Sequence, residues 1–203
     1  MPDKLSIGIN KEIIEQMQFI VEKGFANAAK GFSQMVGLEL SVDNPEVKTV
    51  PLNDIPMLLG GPENDAVGIY LKIEGDIGGQ IMLILPLARA MSICDMLLEE
   101  PDGTTQELGS MERSALAEVG NLTGTFFLNA IAESTGLELR PTPPAVMVDM
   151  IGAILSVVIA TMNEVNDNVL MFQATYKLKN RKIDANFWIV PDALSLERLF
   201  KDK

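Results

Sequence analysis

Apolar and polar residues along the chain fall into the same order of elements twice. From about Lys11 to Val36 the apolar residues recur at helical spacing, Gly37 breaks the pattern, and Leu38 to Val42 reads as a strand. Val47 to Leu52 is extended, and Asn53 to Leu59 is a short helix or turn stopped by Gly60-Gly61-Pro62. A hairpin follows. Its β-rich runs, Val67 to Glu74 and Gln80 to Leu85, are joined by Gly75-Asp76-Ile77-Gly78-Gly79, whose glycines supply positive φ. Pro86 ends the second run, and Ala88 to Leu98 forms a helix. The second pass starts with a helix at about Ser110 to Ser134 and an apolar, helical Met150 to Met162. Strands at Val169 to Leu178 and Lys182 to Val190 flank the turn Lys179-Asn180-Arg181, Pro191 stops the last strand, and a closing helix runs from about Leu194 to Phe200.

The two passes are worn copies at an offset of 99 residues. Met35-Val36-Gly37-Leu38-Glu39-Leu40 aligns with Ser134-Thr135-Gly136-Leu137-Glu138-Leu139, and Pro45 with Pro144. This predicts an α+β fold of internally duplicated halves with pseudo-twofold symmetry, its mainly antiparallel sheet of about six strands packed with long helices. The whole chain, 1–203, is read as one domain of two repeats, about 11–100 and about 105–203, because no Gly/Ser- or Pro-rich linker separates them.

At the 99-residue offset Ser114 maps to Glu15, Glu118 to Phe19 and Asn121 to Glu22, so only the later copy keeps a polar trio. Projected at about 100° per residue with Ser114 at zero, Glu118 falls near 40° and Asn121 near −20°. Leu116, Val119, Phe126, Phe127 and Ala130 lie on the opposite side, so the trio points to solvent. Gly120 and Gly124 cost this helix about 1 kcal/mol each relative to Ala, which the close approach of another backbone would justify. In the earlier copy Phe19 stands on the polar face, and an aromatic there either packs under a neighbouring loop or serves as a docking surface.

Composition narrows the chemistry. A net charge of −12 and a pI near 4.4 repel phosphate backbones and anionic membranes, so neither nucleic acid nor a membrane is the expected partner. Apolar runs such as Ile81 to Leu87 and Ile151 to Ile159 are far shorter than the ~20 residues of a membrane span, and no signal peptide opens the chain, so a cytoplasmic location is expected. There is no histidine, which removes His-based triads and His-ligated zinc. The single cysteine, Cys94, sits in an apolar run and reads as core packing. Any catalysis must use carboxylates, amides or hydroxyls.

Ser114-x3-Glu118-x2-Asn121, followed by 22 residues and Pro144, resembles the active-site signature of the CheC, CheX and FliY chemotaxis phosphatases. The resemblance extends over nearly the whole chain. It takes in Val50-Pro51, Leu58-Leu59-Gly60-Gly61-Pro62, Val67-Gly68-Ile69-Tyr70, Pro143-Pro144-Ala145-Val146, Asp149-Met150-Ile151-Gly152-Ala153-Ile154 and Val190-Pro191-Asp192. With the long helix starting within about a dozen residues and the chain stopping soon after the closing helix, the reading is of a free-standing CheC-like protein rather than a flagellar-switch component.

The resemblance implies hydrolysis of the aspartyl phosphate of a CheY-like response regulator. It gives Asn121 the attacking water and Glu118 the receiver's lysine, with Ser114 and Pro144 in support. No metal or other cofactor of its own is implied, since the receiver carries the Mg²⁺. In the first copy Glu15, Phe19, Glu22 and Pro45 mark a degenerate site, because a carboxylate at Glu22 cannot donate to water and would repel a phosphoryl group. CheD, a receptor-modifying deamidase, is the implied second partner. The alternatives are a non-catalytic adaptor for phosphorylated receiver or CheD, and a flagellar-switch-type binding module.

Overall fold

Residues 11–37, 39–160, 168–178 and 181–191 are described by the computed structural model of the chain. Each half opens on a 26-residue helix, α1 at Lys11–Val36 and α4 at Ser110–Thr135. Their apolar residues recur every three or four positions, which buries Met17, Val21, Phe25, Ala28 and Phe32 on α1 and Leu116, Val119, Phe127 and Ile131 on α4 along one stripe each. Both helices end at a glycine in the left-handed region, Gly37 at φ 64° and Gly136 at φ 78°, where a side chain would be strained.

In the first half α1 is followed by β1 (Leu40–Pro51), a turn of 3-10 helix, α2 (Ile55–Leu58), the hairpin β2 (Asp65–Gly75) and β3 (Gly79–Pro86), and α3 (Leu87–Leu97). In the second half α4 is followed by β4 (Leu139–Pro141), β5 (Ala145–Met150), α5 (Ile151–Ala160) and the hairpin β6 (Asn168–Leu178) and β7 (Arg181–Pro191). The closing helix expected at 194–200, and residues 161–162 and 179–180, lie outside the described residues.

The strands form one antiparallel sheet in the order β1-β6-β7-β3-β2-β4, with β5 also paired to β2. The halves exchange strands. β1 lies on the hairpin of the second half, Leu40 opposite Leu178 and Pro51 opposite Asn168. β4 and β5 lie on the hairpin of the first, Leu139 opposite Gly75 and Met150 opposite Asp65. The pseudo-twofold axis therefore passes between β3 and β7, which pair from Gly79 with Pro191 to Leu83 with Phe187. Neither hairpin could satisfy its outer ladder without the other half's strand.

The sheet has seven strands among the described residues, against an expectation of about six. The two extended stretches read at 38–42 and 47–52 are one strand with a bulge between Asp43 and Glu46, where Asn44 takes φ 49°. At the same place in the second half stand Pro141, Pro143 and Pro144, which have no N–H to give the ladder, so the strand breaks into β4 and β5.

One face of the sheet carries α1, α3 and α4 over a core that includes Phe25, Phe127 and Phe172. The other carries α2 and α5 over Met82, Ile84, Met171 and Trp188. The pattern of burial along α4 thus leaves its far side, the one with the polar trio, free of the sheet.

Candidate functional site

The site begins where α4 begins, and α3 fixes that point. Asp95 on α3 is 1% exposed, and its carboxylate accepts the backbone N–H of Gly103 at 2.7 Å and of Thr105 at 2.7 Å. Hydrogen bonds from the Thr105 side chain and from the backbone of Thr105, Gly103 and Thr104 outweigh burial and hold its pKa below the ordinary 3.8. The loop that leads into α4 is therefore tied to the core. Beside it Cys94 is buried, and burial, with Glu112 and Asp95 adding repulsion, pushes its thiol up to about 11. Cys94 is a neutral thiol at physiological pH, consistent with packing and not with nucleophilic chemistry.

From this start Ser114 and Glu118 emerge exposed and Asn121 half-buried, all on the helix face away from the sheet. The Ser114 hydroxyl donates to the Ser110 carbonyl at 2.8 Å, inside the helix. Glu118 and Asn121 are one turn apart, at the spacing that makes side chains neighbours. Met111, 64% exposed, extends the same face by one turn toward the N-terminus.

Pro144 reaches α4 at Gly120 from the break between β4 and β5. It is half-buried, and a Cβ built on Gly120 would lie 3.6 Å from Pro144 Cβ and 2.4 Å from Ile69 Cγ2. Gly124 similarly faces Leu71, Pro141 and Ile81. The two glycines of α4 thus admit side chains of the sheet, where the sequence led us to expect another backbone. Pro144 thus packs at the position next to Asn121 in sequence, and Ser114, Glu118 and Asn121 share the helix face away from the sheet.

The same surface in the first half is built differently. Glu15 and Glu22 are exposed, and Phe19, at the place of Glu118, is 63% exposed, so no loop among the described residues covers it. Gln18 fills the space between α1 and the β1 bulge. Its Nε2 donates to the Pro45 carbonyl at 2.7 Å and to Glu22 Oε1 at 3.0 Å, while its Oε1 accepts the Val47 N–H at 3.3 Å. The counterpart of Gln18 is Ala117, half-buried and without a polar side-chain atom. Neither residue stands out by type, and comparing Gln18 with Ala117 across the 99-residue offset is the signal that finds them.

Among the described residues no three of Cys, Asp and Glu come together where they could hold a metal ion, and no helix is long and apolar enough to cross a membrane.

The CheC-like family model matches residues 111–148, the segment from Met111 past Pro144. The chain is 27% identical over 197 residues to the CheY-P phosphatase CheC of Bacillus subtilis, covering 95% of this chain and 94% of that one. In fold it is similar to FliY of Thermotoga maritima, with a TM-score of 0.74 at 15% identity over 96% of both chains. It is also similar to a chain of the CheX–CheY–BeF3–Mg²⁺ complex of Borrelia burgdorferi, with a TM-score of 0.53 at 18% identity over 85% of this chain and 97% of that one. The resemblance therefore holds in sequence to CheC proteins and in fold to FliY and CheX.

Proposed function

From this CheC-like sequence and fold, we propose that the protein is a phosphatase that removes the aspartyl phosphate of a CheY-like response regulator. The observation that carries the reading is α4, where exposed Glu118 and half-buried Asn121 lie one turn apart on the face away from the sheet and Pro144 packs at the adjoining Gly120, all inside the segment that matches the CheC-like model.

An acyl phosphate is already activated, so what remains is to hold water in line with the P–O bond to the aspartate. The Asn121 carboxamide has a donor and an acceptor and carries no charge, so it can orient the water without repelling the phosphoryl oxygens. Water oxygen bonds to phosphorus, the P–O bond to the receiver's aspartyl carboxyl breaks, and that oxygen keeps the electron pair. Inorganic phosphate leaves, the carboxylate is regenerated, and the water's proton passes to the phosphate or to solvent. Charge on the phosphoryl oxygens is neutralised by the Mg²⁺ that the receiver brings. Glu118, one turn away and exposed, pairs with the receiver's active-site lysine and sets the docking register. Ser114 and Pro144 support the surface without reacting.

The degenerate surface, with Glu15, Phe19, Glu22 and Pro45, lacks the carboxamide and does not hydrolyse. The test is the decay of a phosphorylated CheY-type receiver with wild-type protein and with Asn121→Ala. Wild type accelerates the decay, and the variant loses about 10²-fold of that acceleration, the scale for removing one positioned donor. Equal decay with the two proteins overturns the catalytic role of Asn121, and an adaptor would instead bind the receiver after loss of both Glu118 and Asn121.

A further inference from the structure

Among the described residues, Met111 is the exposed large apolar side chain of α4, with 64% of its surface open to water. It precedes Glu118 by seven residues, two helical turns, so the two project to the same side of the helix with Ser114 between them. Along the axis Met111 is about 10 Å from Glu118 and about 15 Å from Asn121, at about 1.5 Å of rise per residue. At the 99-residue offset its counterpart is Glu12. By position, then, the apolar residue and the carboxylate have exchanged places between the halves: Glu12 then Phe19 along α1, Met111 then Glu118 along α4.

We propose that Met111 is an apolar anchor for the phosphorylated receiver, seated in an apolar hollow on the receiver face that surrounds the phosphoaspartate, and that it helps to select which receivers are accepted. The inference rests on the phosphatase reading for its partner and adds a contact to it. A receiver that reacts at Asn121 with its lysine on Glu118 must also cover the neighbouring surface. A standard interface takes about 800 Å² from each protein, a disc of about 16 Å radius, and Met111 falls inside it when it is centred on Glu118. Charge supplies little of the affinity, because this chain carries −12 and the phosphoryl group adds negative charge, which confines the attraction to the Glu118 contact. Burial of uncharged surface supplies the rest, and a flexible thioether adapts to an irregular apolar hollow. A receiver posed with its lysine on Glu118 and its hollow over Met111 would meet the opposite order of groups on α1, which adds a cause for the silence of the first half.

The experiment measures the Kd of the full chain for a CheY-type receiver charged with beryllofluoride, alongside kcat and KM on the phosphorylated receiver. Met111→Ala raises Kd and KM about tenfold with kcat unchanged, the scale of one truncated interface anchor. Met111→Leu, which keeps the apolar volume, stays within about twofold of wild type. Met111→Glu, which installs the charge found at Glu12, binds more weakly than Met111→Ala. Met57→Ala, on α2 across the sheet and 72% exposed, leaves both constants at the wild-type values. All four variants keep the thermal midpoint of wild type, because the side chains are exposed. A Kd that is unchanged in Met111→Ala and Met111→Glu overturns the proposal, and so does an equal rise in Met57→Ala. Failure of the phosphatase reading has another signature, a wild-type protein that binds the charged receiver and does not speed its decay. Absence of binding by wild type overturns both.

Discussion

Phe25 and Phe127 meet edge to face where α1 crosses α4, their ring centroids 5.2 Å apart and their planes at 84°. Phe127 makes a second such contact with Phe172 of β6, at 5.4 Å and 64°, so one ring joins both long helices to the sheet. It is fully buried. Phe127→Ala is expected to destabilise the fold by about 3–5 kcal/mol through cavity formation. Gly24→Ala acts on the same ring, since a Cβ there would come within 2.9 Å of it, and overpacking of this kind costs about 1–3 kcal/mol. Urea denaturation of the two variants measures both, and a Gly24→Ala protein as stable as wild type would show that the helices can part without cost.

Gln18 is expected to matter for stability and not for activity. Its amide spans from α1 to the β1 bulge and meets both Pro45 and Val47 in a partly buried setting. Gln18→Ala leaves those two backbone groups without their partner and lowers stability by about 1–2 kcal/mol. Gln18→Glu keeps the acceptor for Val47 but presents a carboxylate oxygen to the Pro45 carbonyl and to Glu22, so it should be at least as destabilising. Paired urea midpoints rank the three proteins.

The long helices and hairpins were legible because their signals are local. An apolar helical period sustained over 26 residues, a glycine stop and a Gly-rich turn lie within one stretch of chain each, and α1 and α4 fall where the periodicity puts them. The exchange of β1 with β4 and β5 between halves was not legible, since alternation says which face of a strand is buried and not which hairpin receives it. β4 and β5 themselves, three and six residues long, were hidden by three prolines. At the site, the exposure of Ser114 and Glu118 followed from the helix projection. The packing of Pro144 against Gly120, and the contrast between Gln18 and Ala117, required knowing that the helix and the broken strand lie side by side.

Asp95 makes the α3–α4 connection sensitive to acid. Its pKa is lowered in the folded protein, first by the Thr105 side chain and also by backbone N–H groups, relative to an ordinary value of 3.8. A depressed carboxylate adds stability that is fully present above the unfolded-state value and is lost as pH falls through the folded one. Thermal midpoints should therefore hold steady from neutral pH to about 5 and fall below about 4, with Asp95 among the contributors. Asp95→Asn keeps the shape, loses the charge-assisted bonds to Gly103 and Thr105, and is expected to be less stable at pH 7 with a flatter decline in acid. A wild-type and variant pair with parallel pH profiles would remove Asp95 from that role.

Glu118 separates docking from chemistry. It is exposed and one turn from Asn121, so its proposed partner is the receiver's lysine and not the water. An exposed charge pair at an interface governs encounter and register and is weakened by salt. Against a net charge of −12 it is the placement of this one carboxylate, not bulk attraction, that gives the contact its value. Glu118→Gln is expected to raise KM about tenfold, the scale of one charge-assisted contact, and to make KM less dependent on ionic strength. Asn121→Ala should instead lower kcat while leaving the salt dependence of binding as in wild type. Steady-state kinetics at low and at high salt distinguishes the two. A Glu118→Gln variant whose KM rises with salt as steeply as that of wild type would place the docking charge elsewhere on the surface.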